Sequence, residues 1–341
     1  MSEHNGHMPQ HDAADGRRQH PGQEPAESGP HHDTARPAHV HGHGHGHGAA
    51  SGHRHGDTDM DWDAMAPVLE REGELCRPQY EAAANWIAGL PEAPEVRRIL
   101  DIGSGPGVIT CLLAEVFPEA EVVAVDGAGA LLERTLARAE RLGLGERVRT
   151  QRADLPGELE LLGEADLIWM GNALHHMGDQ GAVLAGFSGL LRPGGVVALA
   201  EGGLAARHLP RDPGMGRPGL EARIEAATAD WFETMRASLP GSRRETEDWS
   251  ALLTTAGLRP QGARSFLLDL PAPLSEQARD HVLDGFTRRR EMLEGVLEAE
   301  DIEVLDRLLD PEDPAGLRRR PDVFLLMART VHLGRRAASG R

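Results

Sequence analysis

Ile99-Leu100-Asp101-Ile102-Gly103-Ser104-Gly105-Pro106-Gly107 is the stretch on which the reading of this chain turns. The apolar run Ile99 to Ile102 suits a short central strand. Gly103, Gly105 and Gly107 then allow a sharp bend and a close approach of backbone to ligand. Pro106 stands where a helix begins, a position at which its missing N–H costs little. The helix that follows turns its first N–H groups toward the loop. Strand, glycine turn and helix together make a nucleotide-type site.

The spacing narrows the ligand. A dinucleotide fingerprint is G-x-G-x-x-G, and here the third glycine comes one residue early. Asp101 sits two residues before the first glycine. A carboxylate there disfavours a pyrophosphate and suits a ligand with an amino group. The stretch resembles the first motif of the class I S-adenosylmethionine (SAM) methyltransferases, D-x-G-x-G-x-G. In that family the loop, here Gly103, Ser104, Gly105 and Gly107, packs against the methionine part of the ligand.

From this point a βα rhythm runs in both directions. Apolar positions at helical spacing predict two helices before the sheet, one after Trp62 and one after Pro78. Ile109, Leu112, Leu113 and Val116 give the helix after the glycine turn. Strands follow over 121–125, 148–152, 166–170 and 196–200, with helices between them marked by Leu132, Leu136 and Ala139 and by Val183, Leu184 and Phe187. The helix-to-strand turn is Arg192-Pro193-Gly194-Gly195. This alternation implies an α/β, doubly wound, mainly parallel sheet. Beyond it lie a helix over 221–239, another at Trp249, a sixth strand within 258–270, a helical insertion and a seventh strand within 322–331.

The resemblance, which covers about residues 95–200, implies a Rossmann-like methyltransferase fold of seven strands whose last two form an antiparallel edge hairpin. The domain reading is a His/Gly-rich tail over 1–58, N-terminal cap helices over 59–94, a SAM-binding core over 95–202, and a C-terminal part over 203–341. The helical insertions of that last part would form a lid and an acceptor pocket.

Three acids match three handles of SAM. Asp101 can face its methionine amino end. Asp126, followed by Gly127, ends the second strand, where a carboxylate accepts from ribose hydroxyls in dinucleotide folds. By resemblance Asp154 accepts from the adenine amino group, with Ala153 and Leu155 against the ring. Each acid also has a plain reading as a turn or cap residue. The fourth strand ends in Gly171-Asn172-Ala173-Leu174-His175-His176, similar to the family segment beside the methyl donor; Gly171 and Asn172 are its nearest contributors. His175 or His176 can act as base near neutral pH, or both can simply pack beneath the loop. Glu201, Arg77 and Tyr80 are further lining candidates.

Composition excludes several classes. The 341-residue chain carries a net charge of −18, which repels nucleic acid and anionic membranes. It has no lysine, its 36 basic residues all being arginine, which removes the P-loop and Schiff-base lysines. Runs Arg288–Arg290 and Arg318–Arg320 read as solvated faces. Two cysteines, Cys76 and Cys111, carry no pairing signature; with no secretory signal and no membrane-length apolar run, a cytoplasmic setting fits. Thirteen of 18 histidines precede residue 56. His41, His43, His45 and His47 alternate with glycine and can chelate nickel, zinc or copper weakly, while no metal site is read in the folded part.

The expectation is therefore a SAM-dependent methyltransferase acting on a small molecule by in-line displacement. The alternatives are a non-catalytic SAM- or metal-binding protein and an NAD-dependent oxidoreductase.

Overall fold

In a computed structural model of the chain, residues 62–90 and 95–338 are described; the expected tail over 1–58 lies outside them. The elements in chain order are α1 (Trp62–Ala88), β1 (Arg98–Ile102), α2 (Val108–Val116), β2 (Glu121–Asp126), α3 (Gly129–Arg141), β3 (Val148–Arg152), β4 (Ala165–Gly171), α4 (Gln180–Leu190), β5 (Leu191–Arg207), α5 (Leu220–Ser238), α6 (Trp249–Thr255), β6 (Arg259–Leu270), α7 (Glu276–Met292), α8 (Ala299–Leu309) and β7 (Leu325–Arg335).

The seven strands form one sheet in the order β3-β2-β1-β4-β5-β7-β6. Strands β1 to β5 pair in parallel. β7 runs antiparallel between β5 and β6, so the expected hairpin closes the sheet edge. The chain winds outward from β1 to β3, then returns to β4 on the other side of β1. Ligands of open α/β sheets bind at such a reversal, beyond the carboxyl ends of the strands.

Side-chain alternation along the central strands builds two cores. Ile99, Leu167, Trp169, Val196 and Ala198 face one, which is completed by α1, α2, α7 and α8. Leu100, Ile102, Ile168, Met170, Val197 and Leu199 face the other, against α4 and α6. Burial on both faces explains why these strands are nearly all apolar.

Asp166 fixes the opposite end of the sheet. Its carboxylate accepts from the Arg97 and Arg98 backbone N–H groups at 2.9 and 2.8 Å and from Arg192 Nη1 at 2.9 Å. The Arg192-Pro193-Gly194-Gly195 turn is thereby tied to β4.

Four features differ from the sequence reading. The two expected N-terminal helices are one, α1, which runs through Pro67 and Pro78. An interior proline costs about 3 kcal/mol, but the stripe Ala66, Cys76, Tyr80, Ala83, Ala84 and Ile87 is buried along the helix and packing offsets the break. β5 is longer than 196–200: it begins at Leu191, which pairs with Ala165 of β4, and reaches Arg207 because β7 pairs with it beyond the parallel core. β7 in turn ends at Arg335, four residues later than expected. The arginine runs are not wholly solvated: Arg320 is buried, pairs with Asp322 and donates to the Pro213 carbonyl, and Arg289 lies against the Phe286 ring.

Candidate active site

The glycine turn after β1 is built from three left-handed residues, Gly103, Gly105 and Gly107, with φ of 67, 55 and 79°. Two of them are also sterically required. A Cβ on Gly103 would stand 2.7 Å from the Ala173 methyl, and one on Gly107 would stand 2.5 Å from the Thr135 side chain. Gly105 differs: a Cβ there would meet nothing within 4 Å. The turn is packed at its ends and open at its centre. The Gly103 and Ser104 N–H groups donate to the Val125 carbonyl at 2.8 and 3.1 Å, which lashes the turn to β2. Pro106 lies in the turn just before Gly107, the N-cap of α2.

Asp126 completes this wall. One carboxylate oxygen accepts from the Gly105 N–H and the other from the Ala128 N–H, both at 2.9 Å. Its carbonyl accepts from Ala153 at 3.2 Å, bringing the end of β3 alongside. A Cβ on Gly127 would lie 3.8 Å from the Ala153 carbonyl, an ordinary contact. These two backbone bonds hold the carboxylate at the open centre of the turn.

Asp101 is 2 % exposed. The Thr110 hydroxyl on α2 donates to it at 2.6 Å. Burial pushes its carboxyl up to about 7; the Thr110 bond opposes this, and the nearby Asp126 charge adds to it. Ser104 Oγ is buried and has no hydrogen-bond partner. Asp154 is exposed, and its backbone N–H donates to Glu158 at 2.7 Å. Leu155 is half-buried against the α4 and α6 side of the core.

The second wall rises from β4. Asn172 is the one non-glycine residue with positive φ, 51°, among the described residues. Such a conformation costs of order 1–3 kcal/mol and persists only where its surroundings over-determine it. Here its N–H donates to the Ala200 carbonyl at 3.1 Å, and its Nδ2 donates to the Tyr80 hydroxyl at 2.9 Å. Tyr80 meets Trp169 edge-on at 6.0 Å. Helix α1 thus reaches over the strand ends.

Glu201, 4 % exposed, fastens the loop after Asn172. One oxygen accepts from the Ala173 and Leu174 N–H groups at 3.1 and 2.9 Å, and the other faces His175 Nδ1 at 3.2 Å. From α5, Arg236 donates to the carbonyls of His175 and Met177 at 2.6 and 2.8 Å. The Phe232 ring lies 5.5 Å from His175, and the His176 ring 4.3 Å from it.

Most of the anticipated residues therefore converge at one end of the sheet. Gly103, Ser104, Gly105, Asp126 and Ala153 form one hydrogen-bonded wall; Asn172, Ala173 and His175, with Glu201, form the other. Arg77 does not join them, being paired with Glu115 on α2. Thr110 was missed, although a hydroxyl within Val-Ile-Thr-Cys-Leu-Leu was a readable signal. Arg236 and Phe232 gave no local signal, since α5 joins the site only by tertiary packing. Among the described residues no group of three or more His, Cys, Asp or Glu is arranged to hold a metal ion.

Residues 100–197 match the profile of a methyltransferase domain family. The trans-aconitate 2-methyltransferase of Methylobacterium radiotolerans is 31 % identical over 246 residues, which span 64 % of this chain and 84 % of that one. An uncharacterised Synechococcus protein is 36 % identical over 122 residues, 35 % of this chain but only 29 % of its own length. Among solved structures, an O-methyltransferase family protein from Burkholderia thailandensis aligns with a TM-score of 0.44 at 15 % identity, covering 82 % of this chain and 59 % of that one.

The Asp101 environment has a measurable sign. An unfolded aspartate titrates near 3.9, while the folded one keeps its proton to about pH 7. Its contribution to stability is full below the ordinary value and fades as pH rises through about 7. In the protein without added ligand, Asp101→Asn is expected to gain stability relative to wild type between pH 4.5 and 7.5. Urea midpoints at the two pH values check this, and a constant offset between the proteins contradicts it.

Proposed function

The chain belongs to the class I SAM-dependent methyltransferases, and on that premise we propose that it moves a methyl group from SAM to a small-molecule acceptor held beyond the carboxyl ends of the strands. One observation carries the proposal. The glycine turn is open only at Gly105, where Asp126 holds it, and it shelters the orphaned Ser104 hydroxyl.

These residues fit SAM in kind. Asp101 and the turn of Gly103, Ser104, Gly105 and Gly107 would receive the amino acid end. Asp126, beside Gly127, would receive the ribose hydroxyls. Ala153, Asp154 and Leu155 would border the adenine, and Gly171 and Asn172 would stand beside the sulfur. Family membership removes the oxidoreductase alternative.

SAM supplies an activated methyl group on a cationic sulfur. The work left to this chain is alignment and exclusion of water, and well-oriented reactants gain about 7–11 kcal/mol from positioning alone. Asn172 and Tyr80 fix the rim, and Glu201 fixes the loop that carries His175. With Glu201 accepting from Nδ1–H, the free lone pair of His175 would be on Nε2, and it would take a proton from a neutral hydroxyl or a carbon acid. His176 would then pack against His175.

Two further assignments belong to this proposal. His41, His43, His45 and His47 are weak chelators of nickel, zinc or copper, outside the described residues. The setting is cytoplasmic: Cys76 and Cys111 are free and buried, and no helix among the described residues is long and apolar enough to cross a membrane. The acidic balance of the chain does not favour nucleic acid as acceptor.

Calorimetric titration with SAM tests the donor site. Asp126→Ala is expected to weaken binding by roughly 1–3 kcal/mol, the worth of a lost buried acceptor; unchanged affinity removes the assignment. Transfer of labelled methyl to panels of phenols, amines and carboxylic acids tests the chemistry. Glu201→Gln keeps an acceptor for the Ala173 and Leu174 N–H groups but removes the charge beside His175. It should lower kcat while leaving SAM affinity unchanged, and an unchanged kcat shows that Glu201 does not position His175. Replacing His41, His43, His45 and His47 by alanine should abolish nickel retention in dialysis, and full retention would place the metal elsewhere.

A further inference from the structure

Beneath α1 and beside the donor rim lies a set of polar groups that the fold itself does not use. Gln79 is 2 % exposed, yet neither its amide nitrogen nor its carbonyl oxygen has a hydrogen-bond partner beyond the weak neighbouring thiol of Cys76. Burying an amide unpaired costs about 1–3 kcal/mol per group. A residue of this kind in a helix that otherwise buries Ala83, Ala84 and Ile87 is not explained by packing.

Arg329 on β7 faces the same core, near enough for Cys76 and Tyr80 to feel its charge. Leu325, Met327, Val331 and Leu333 put this face of the strand into the core shared with Cys76 and Tyr80, and Arg329 has the same parity. Burial pushes the Tyr80 hydroxyl and the Cys76 thiol up to about 12, and in both cases the nearby Arg329 guanidinium opposes that rise. The half-buried Arg329 has its Nε fully enclosed and without a hydrogen-bond partner. Among the described residues it forms no ion pair. Glu72 faces the same space, since Cys76, Tyr80 and His281 all feel its charge, but it does not reach Arg329. A half-buried guanidinium with an enclosed, unpartnered Nε and no ion pair among the described residues is suited to receive an anion.

The backbone delivers it there. The β5–β7 ladder slips between Ala200 and Gly203, and Gly203, with φ of 116°, lies opposite Arg329. A Cβ on Gly203 would come within 3.0 Å of the Arg329 α-carbon. Only a glycine lets β7 draw in at this level, just past Glu201. Tyr80 connects the two regions, touching Asn172 on the donor side and lying beside Arg329 on the other.

We propose that Arg329 and Gln79 form the acceptor subsite and receive a carboxylate of the acceptor. This rests on the methyltransferase reading above and adds the chemical class of the substrate. A planar carboxylate matches the fork of a guanidinium and can take a second bond from an amide NH2. With Glu72 close by, a singly charged group fits better than a phosphate dianion. The carboxylate is the handle by which the acceptor is held, and the methyl goes to another atom nearer Asn172.

The test is transfer of labelled methyl from SAM to trans-aconitate, 4-hydroxybenzoate and glycine, each set against its neutral amide. At least one acid should be labelled, with its amide at least roughly tenfold poorer in kcat/KM, the value of one charge-assisted bond. Arg329→Gln should lower kcat/KM for that acid by a similar factor, mainly through KM, and Arg329→Lys should restore part of it. Calorimetry should show the SAM affinity of both variants equal to wild type, which also establishes that they are folded. Absence of label on every acid, an amide as good as its acid, or an indifferent Arg329→Gln overturns the proposal. Failure of the wild-type protein to bind SAM would instead defeat the methyltransferase reading on which it stands.

Discussion

The site depends on one carboxylate bridging two backbone amides. Asp126 holds the Gly105 N–H with one oxygen and the Ala128 N–H with the other. The glycine turn after β1 has little side-chain mass with which to hold its own shape. A charge–amide bond is among the stronger polar contacts in a protein, and here it sets the curvature of a segment with three left-handed residues. It also places the start of α3 and, through the Asp126 carbonyl, the end of β3. Without it the packed ends at Gly103 and Gly107 would remain, but the open centre at Gly105 would lose its fixed edge.

A buried carboxylate, Glu201, does the same for the opposite wall. It takes two N–H groups of the loop after Asn172 and stands against His175. The site is thus framed by two acids, on β2 and on β5 with β1 and β4 between them, each bonded to backbone N–H groups. Asp101 is a third kind of acid: buried behind the turn, bonded to Thr110 and inclined to keep its proton. Carboxylates with different surroundings can in this way serve as fasteners and as a cation receptor within one loop system.

The sheet was legible because each central strand is a short apolar run closed by a glycine or an acid, and each helix carries one clean apolar face. Local pattern and tertiary outcome coincide there. They part where packing overrides local preference. Pro78 reads as a helix break, yet α1 continues through it because its buried stripe continues. Arg289 and Arg320 read as solvated, yet Arg289 lies over the Phe286 ring and Arg320 is buried between Asp322 and the distant Pro213 carbonyl. In the site, the glycines, Asp101, Asp126 and Asn172 announced themselves by position after strands. Arg236, Gln79 and Arg329 did not, because nothing near them in the chain records what they face once α5, α1 and β7 have docked.

The slip in the β5–β7 ladder has a mechanical consequence. Glu201, which fastens the loop bordering the donor, and Gly203, which admits the Arg329 backbone, lie two residues apart on one strand. The two substrates would therefore press on opposite sides of a single short lever. A shift there moves both walls together, so occupancy of one side should bias the geometry of the other without any domain having to swing shut.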